Sequence, residues 1–131
     1  MQSFEEFLNE KTSMKYSVLK KDVLSQVSNS SNNEIKNIDK RAIELFVKYI
    51  HKWFGDNFTF KEMFNSAKHS YSREPFDFRG MWKESDFEIF EDNGLLKNEN
   101  SYKYFFTENG RIIFLMTARI INKVENLDFI E

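Results

Sequence analysis

Apolar residues recur along this chain in steps of three and four, interrupted by one short aromatic run of strand-forming residues, and these signals predict helices around a small β-hairpin. The strongest helical stretch follows Asp39. There Ala42, Leu45, Phe46, Tyr49, Ile50 and Trp53 share a face, Asp39 is placed to cap it and Gly55 to stop it. Lys40, Arg41, Glu44, Lys48, His51 and Lys52 make the opposite face solvated and partly basic. Upstream, the capping box Ser3-Phe4-Glu5-Glu6 opens a face of Phe4, Phe7 and Leu8. The rhythm breaks at Thr12 and Ser13 and resumes with Tyr16, Leu19, Val23 and Val27, which predicts one long helix with a weak point or two in succession. The segment 28–33, Ser-Asn-Ser-Ser-Asn-Asn, offers only side chains that compete for backbone hydrogen bonds, so it reads as a loop. It divides the chain into an N-terminal helical arm, residues 1–33, and a main body, residues 34–131.

Within the main body, Thr59-x-x-Glu62 is a second capping box, opening a short helix through Met63, Phe64 and Ala67. Pro75 disfavours helix at Glu74 and predicts a turn or an extended piece there. Asp77 is a possible cap for a helix over 78–93 with Phe78, Met81, Trp82, Ile89 and Phe90 inward. The box Ser85-x-x-Glu88 and the weakening Gly80 leave a start only at Asp86 open. Gly94 suits the left-handed residue that ends a helix. Leu95 and Leu96 then start a strand, Asn98-Glu99-Asn100-Ser101 supplies a turn, and residues 102–106 return as an aromatic strand. Thr107 caps a last helix over 108–124 in which Ile112, Ile113, Phe114, Leu115 and Met116 are apolar nearly all round. A helix of that kind needs a partner beyond one core face, either the N-terminal helix or a second subunit.

The order helix, hairpin, helix, with Gly94-Leu95-Leu96 before the hairpin and Tyr104-Phe105-Phe106-Thr107-Glu108-Asn109-Gly110-Arg111 after it, resembles the winged helix-turn-helix family of MarR- and PadR-like DNA-binding domains. Members carry Gly-Leu-Ile/Leu at the end of the recognition helix and Tyr-x-Leu-Thr-x-x-Gly-Arg after the wing. The resemblance covers residues 39–123. It implies a mainly α fold with a small β-hairpin, a winged helix-turn-helix core plus N- and C-terminal helices. It also implies a recognition helix in the major groove of double-stranded DNA, a wing along the backbone and a homodimer through the terminal helices. By position, the duplex contacts would be Lys61, Ser70, Ser72, Arg73, Arg79 and Lys83, with Lys97 and Lys103 on the wing.

Composition modifies this picture in two ways. The chain has 131 residues, enough for a single domain, and 15 phenylalanines among 17% aromatics, so its core is built from large rings. It has no cysteine, which removes disulfides, thiol nucleophiles and zinc-thiolate sites. An acidic N-terminus without an apolar leader and no long apolar stretch lead to the expectation of a soluble, cytoplasmic protein without membrane contact. Abundant Lys, Asn, Ile and Phe are what AT-rich coding tends to give, which points to a low-GC bacterium or its phages and mobile elements. Secondly, the net charge of -2 lacks the basic excess usual in nucleic-acid binders. Bases outnumber acids over 41–76, whereas over 77–100 Asp77, Glu84, Asp86, Glu88, Glu91, Asp92 and Glu99 outnumber Arg79, Lys83 and Lys97.

Catalytic and metal chemistry find little foothold. His51 and His69 stand among lysines on helical patterns and read as solvated groups. Asp22 with Glu34-Ile35-Lys36 echoes a nuclease signature, but beside a polar loop instead of on a core strand. Asp86, Glu88, Glu91 and Asp92 read as a solvated helix face before they read as a cation site. The four glycines are scattered, so there is no phosphate loop. Alternate rings of the aromatic strand are expected to pack beneath the hairpin instead of stacking bases. The expectation is thus a non-enzymatic DNA-binding transcriptional regulator with no cofactor. The alternative is a protein-interaction module, such as an inhibitor of a nucleic-acid enzyme, that presents Glu84, Asp86, Glu88, Glu91 and Asp92 to a basic partner.

Overall fold

The computed structural model describes residues 14–55, 57–68, 76–77, 83–100 and 103–127, with backbone only for 57–59 and 76–77. They form α1 (Tyr16–Ser28), α2 (Asn33–Lys36), α3 (Lys40–Phe54), α4 (Asn57–Lys68), β1 (Phe76–Asp77), α5 (Glu84–Asp92), β2 (Leu96–Asn100), β3 (Lys103–Phe106) and α6 (Glu108–Glu125). The fold is mainly α-helical with a small antiparallel sheet of order β1-β3-β2. The capping box at Ser3 and the apolar residues after it lie outside the described residues.

Helix α3 is central because its apolar positions wrap past one stripe. Ala42, Ile43, Phe46, Val47, Tyr49, Ile50 and Trp53 are all buried, and the helix packs on α1, α4, α5 and α6. Asp39 caps it as expected, accepting from the Arg41 N–H at 2.8 Å, and the Gly55 N–H donates to the Lys52 carbonyl at 3.1 Å. Phe46 sets its ring edge-on to Phe90 of α5 at 5.2 Å and near Phe106 of β3 at 6.4 Å, so one side chain ties helix and hairpin to α3. Below it, Phe60 of α4 meets Phe114 of α6 at 5.4 Å.

The polar segment after α1 behaves as its chemistry requires. Asn32 accepts from the Glu34 and Ile35 N–H groups and opens α2, whose Ile35 is buried. Glu34 and Lys36 of the nuclease-like triplet, and Asp22 on α1, are exposed on helices. Helix α1 buries Leu19, Val23 and Val27 and packs on both α3 and α6. With α4 on another side, α6 therefore finds covers for Ile113, Phe114, Leu115, Ile120 and Ile121 within one chain. The apolar residue it leaves outward is Val124, 58% exposed.

Helix α5 has 9 residues, too few to hold alone in water. Two fully buried rings, Phe87 and Phe90, anchor it, each contributing about 2 kcal/mol of burial. Its end is a complete Schellman motif: Leu95 N–H donates to the Phe90 carbonyl at 2.9 Å and Gly94 N–H to that of Glu91 at 3.1 Å. Gly94 takes the left-handed φ of 68° that this turn demands.

From there the chain is stitched to α6. Thr107 caps α6 by accepting from the Gly110 N–H at 3.0 Å, and its hydroxyl hydrogen reaches the Gly94 and Leu95 carbonyls. Gly110 lies so close to the start of β2 that a Cβ there would stand 1.8 Å from the Leu95 carbonyl oxygen. Arg111 donates to the Ala67 carbonyl in the last turn of α4 at 3.1 Å while forking onto Glu108 at 2.8 and 3.1 Å. The Thr-x-x-Gly-Arg run is thus a joint linking α4, β2 and α6.

The hairpin differs from expectation in its turn. Asn98 and Asn100 belong to β2, and the register shifts between them, opposite Tyr104 and Lys103, so Glu99 is an extra residue in a bulge. The inward rings are those predicted by alternation: Tyr104 is 4% exposed and Phe106 rests against Phe114 at 5.1 Å. The extended piece after Pro75 is β1, whose Phe76 pairs with Tyr104 and Asp77 with Lys103.

Candidate nucleic-acid interface

The expected recognition helix starts late. Lys83 is extended, with φ -125° and ψ 116°, and serves as the N-cap, so no helix runs unbroken over 78–93. The start at Glu84 also precedes Ser85, which sits inside the first turn, so the capping box expected at Ser85 does not form. The shift turns the helix about its axis relative to the longer reading. Phe87, absent from the expected inward set, is fully buried, and Ile89, expected inward, is 40% exposed.

Among the predicted duplex contacts, Lys61 is exposed on α4, Lys83 at the start of α5, and Lys97 and Lys103 on the hairpin. Ser70, Ser72, Arg73 and Arg79 lie outside the described residues, as does His69. Lys97 is cross-strand partner of Phe105, with its Nζ 5.9 Å from the ring centre. This pair occupies the outer side of the hairpin, opposite the buried Tyr104.

The exposed side of α5 is acidic. Glu84, Glu88, Glu91 and Asp92 point to solvent around Ile89, and α5 itself carries no lysine or arginine. Asp86 differs from the other acids, contrary to a uniformly solvated face. It is half-buried and accepts a 2.7 Å hydrogen bond from the Tyr49 hydroxyl, tying α5 to α3. Burial first, then the hydrogen bond and charge of Asp86, hold that phenol protonated well above its ordinary range.

A groove of about 530 Å³ opens beside this contact, lined by Tyr16, Leu45, Lys48, Tyr49, His51, Lys52, Lys83 and Asp86. His51 is not the solvated group expected. Its Nε2 donates to the Met14 carbonyl at 2.6 Å, and its ring tilts against Tyr16 at 6.1 Å. Tyr16 in turn donates to the Glu44 carbonyl at 3.0 Å. Lys48, Lys52 and Lys83 are exposed and make no ion pair among the described residues. The sequence pattern puts Lys48 and Lys52 on a solvated helix face. Their meeting with Lys83 depends on how α5 docks on α3, which no local pattern records.

Among the described residues no group of three His, Asp or Glu side chains is disposed to hold a metal ion, and no helix is long and apolar enough to cross a membrane. Comparison with protein-family models, with curated proteins and with solved structures finds no match to this chain.

Proposed function

We propose that this chain is a winged-helix DNA-binding protein acting as a small transcriptional regulator. The observation that carries the reading is the exposure of Lys61, Lys83, Lys97 and Lys103 on the short helix, the start of α5 and the hairpin. Those are the elements that flank a duplex in this fold class. The joint made by Gly94, Leu95, Thr107, Gly110 and Arg111 supports the same reading, because it fixes the hairpin against the helix before it. The acidic side of α5 sets the mode of contact: the lysines meet backbone phosphates, and α5 approaches by its N-terminal end instead of lying along the major groove. Residues 69–83, including β1, separate α4 from α5, a longer connection than the three- or four-residue turn of a tight helix-turn-helix. The two-fold dimer that belongs to this reading has Val18 and Val124, 48% and 58% exposed, as apolar contacts beside the α1–α6 groove.

Fluorescence anisotropy of a labelled random duplex tests it. Binding at low salt should weaken as salt rises, with a log–log slope no steeper than about -4 for four neutralised phosphates. Charge reversal at Lys83 and Lys97 should abolish it. No salt-sensitive binding at low ionic strength refutes the proposal.

A second reading has its own support. Ile89 is exposed amid Glu84, Glu88, Glu91 and Asp92, the combination of an apolar anchor and a charged rim that suits a basic protein partner. Recovery of a basic protein from the source cell, lost on Glu88→Lys with Ile89→Asp, favours this second reading. Recovery of duplex DNA instead favours the first.

A further inference from the structure

We propose that the groove between α1, α3 and the start of α5 binds a small organic di- or triphosphate, of which a nucleoside diphosphate is the simplest probe. The site lies beyond the duplex-binding reading and shares only Lys83 with it. Lys48 and Lys52 stand one turn apart on α3, and Lys83 enters from α5, so cations reach the groove from two walls. None of the three is neutralised by an ion pair among the described residues. A further cation borders the α1 wall, where the Lys20 Nζ lies 5.6 Å from the centre of the Tyr16 ring.

Among the described residues the acids facing the groove are few. Asp86 lines it, with one oxygen already taken by the Tyr49 hydroxyl. Glu44 lies near enough to Tyr16 to act on its phenol, whose pKa is raised by burial and then by that charge. Lysine therefore outweighs acid among the described lining residues.

The ligand class follows from charge type, size and surroundings. Among the described residues the lining has no arginine to grip a planar carboxylate by two parallel bonds, whereas separate ammonium groups suit the distributed charge of phosphoryl oxygens. About 530 Å³ exceeds what inorganic phosphate fills and falls in the range of small-molecule sites. Leu45 and the Tyr16 ring offer an apolar wall for an organic body.

Calorimetry on the full chain, without duplex DNA, tests the proposal with ADP, pyrophosphate and a thymidine oligonucleotide. ADP should bind one to one and more weakly in higher salt. Joint substitution Lys48→Ala and Lys52→Ala should weaken it about tenfold or more, and Lys83→Ala several-fold. Lys97→Ala on the hairpin should leave it unchanged. Because Lys83 lies on a different element, its variant keeps the test readable if the α3 pair disturbs folding, which circular dichroism checks. The proposal is overturned if ADP fails to bind at about 1 mM, if the lysine variants bind as wild type does, or if the oligonucleotide binds where ADP does not. Pyrophosphate binding as tightly as ADP would overturn the organic body. Failure of duplex binding leaves this result untouched, and failure here leaves the duplex test untouched.

Discussion

Replacing Gly110 with alanine should cripple the fold, although helix propensity alone favours the change by about 1 kcal/mol. The added Cβ would lie 1.8 Å from the Leu95 carbonyl oxygen and 2.8 Å from its carbon, whereas ordinary contact begins near 3.4 Å. The start of β2 or of α6 must therefore retreat by about 1.5 Å, an amount a hydrogen bond does not survive. The Thr107 N–H bond to Leu95, the Thr107 hydroxyl contact to the Gly94 and Leu95 carbonyls and the Gly110 N–H cap all stretch together. Three such bonds at about 1 kcal/mol each, with about 1–3 kcal/mol of overpacking, outweigh the propensity gain and leave a loss of about 3–5 kcal/mol. That is a large share of the stability of any domain this size and should lower Tm by about 10–20 °C. Gly94→Ala is the control. Its Cβ would meet nothing within 4 Å, and only its φ of 68° is at stake, so it should cost about 1 kcal/mol. Thermal and urea melts followed by circular dichroism decide. A Gly110→Ala protein as stable as wild type, or more stable than Gly94→Ala, refutes the reasoning.

Three more outcomes follow from side-chain contacts. Arg111→Met should cost about 1–2 kcal/mol through the lost Ala67 carbonyl bond, and Glu108→Ala less than about 0.5, since that carboxylate is 62% exposed; equal costs in urea melts would mean the surface fork matters more than the tie to α4. Tyr49→Phe should cost about 1–2 kcal/mol at neutral pH by freeing Asp86. The unfolded chain releases phenol protons near pH 10 while folded Tyr49 keeps its own, so stability falls as pH rises above about 10, and the phenylalanine variant should show less of that fall in urea melts. Burial pushes the Glu125 carboxyl up, against a Met14 backbone hydrogen bond that pulls it down, and one carboxylate oxygen has no partner among the described residues. A raised carboxylate lets stability decline as pH rises through its folded-state pKa, so Glu125→Gln should raise Tm at neutral pH and not at about pH 4; an unchanged Tm difference across that window would contradict this.

The elements legible in the sequence are those governed by neighbours a few residues apart. Asp39 and Thr107 cap helices, and Gly94 turns left-handed, because each choice depends on the backbone beside it. The start of α5 is not legible because Ser85 and Asp77 both carry cap chemistry, while the residue at the cap, Lys83, makes no side-chain cap bond. A helix phased on Phe78 and Trp82 turns Phe87 off its inward face, whereas the observed helix buries it. Long-range uses were not legible: nothing local marks Gly110 as facing Leu95, Arg111 as reaching Ala67, or Asp86 as bonded to Tyr49. The groove was hidden for the same reason, since Lys83 is far in sequence from Lys48 and Lys52.

The bulge at Glu99 has a consequence for the sheet's behaviour towards other molecules. With β3 in the middle, β2 is an edge strand of the sheet among the described residues, and the unpaired row of peptide groups on such an edge invites another chain to add a strand. The irregular step between Asn98 and Asn100 breaks the even spacing an incoming strand would need, and exposed Lys97 and Glu99 would have to be crowded against it. The hairpin thereby discourages self-templated fibril growth, and removing the extra residue would restore an adhesive edge.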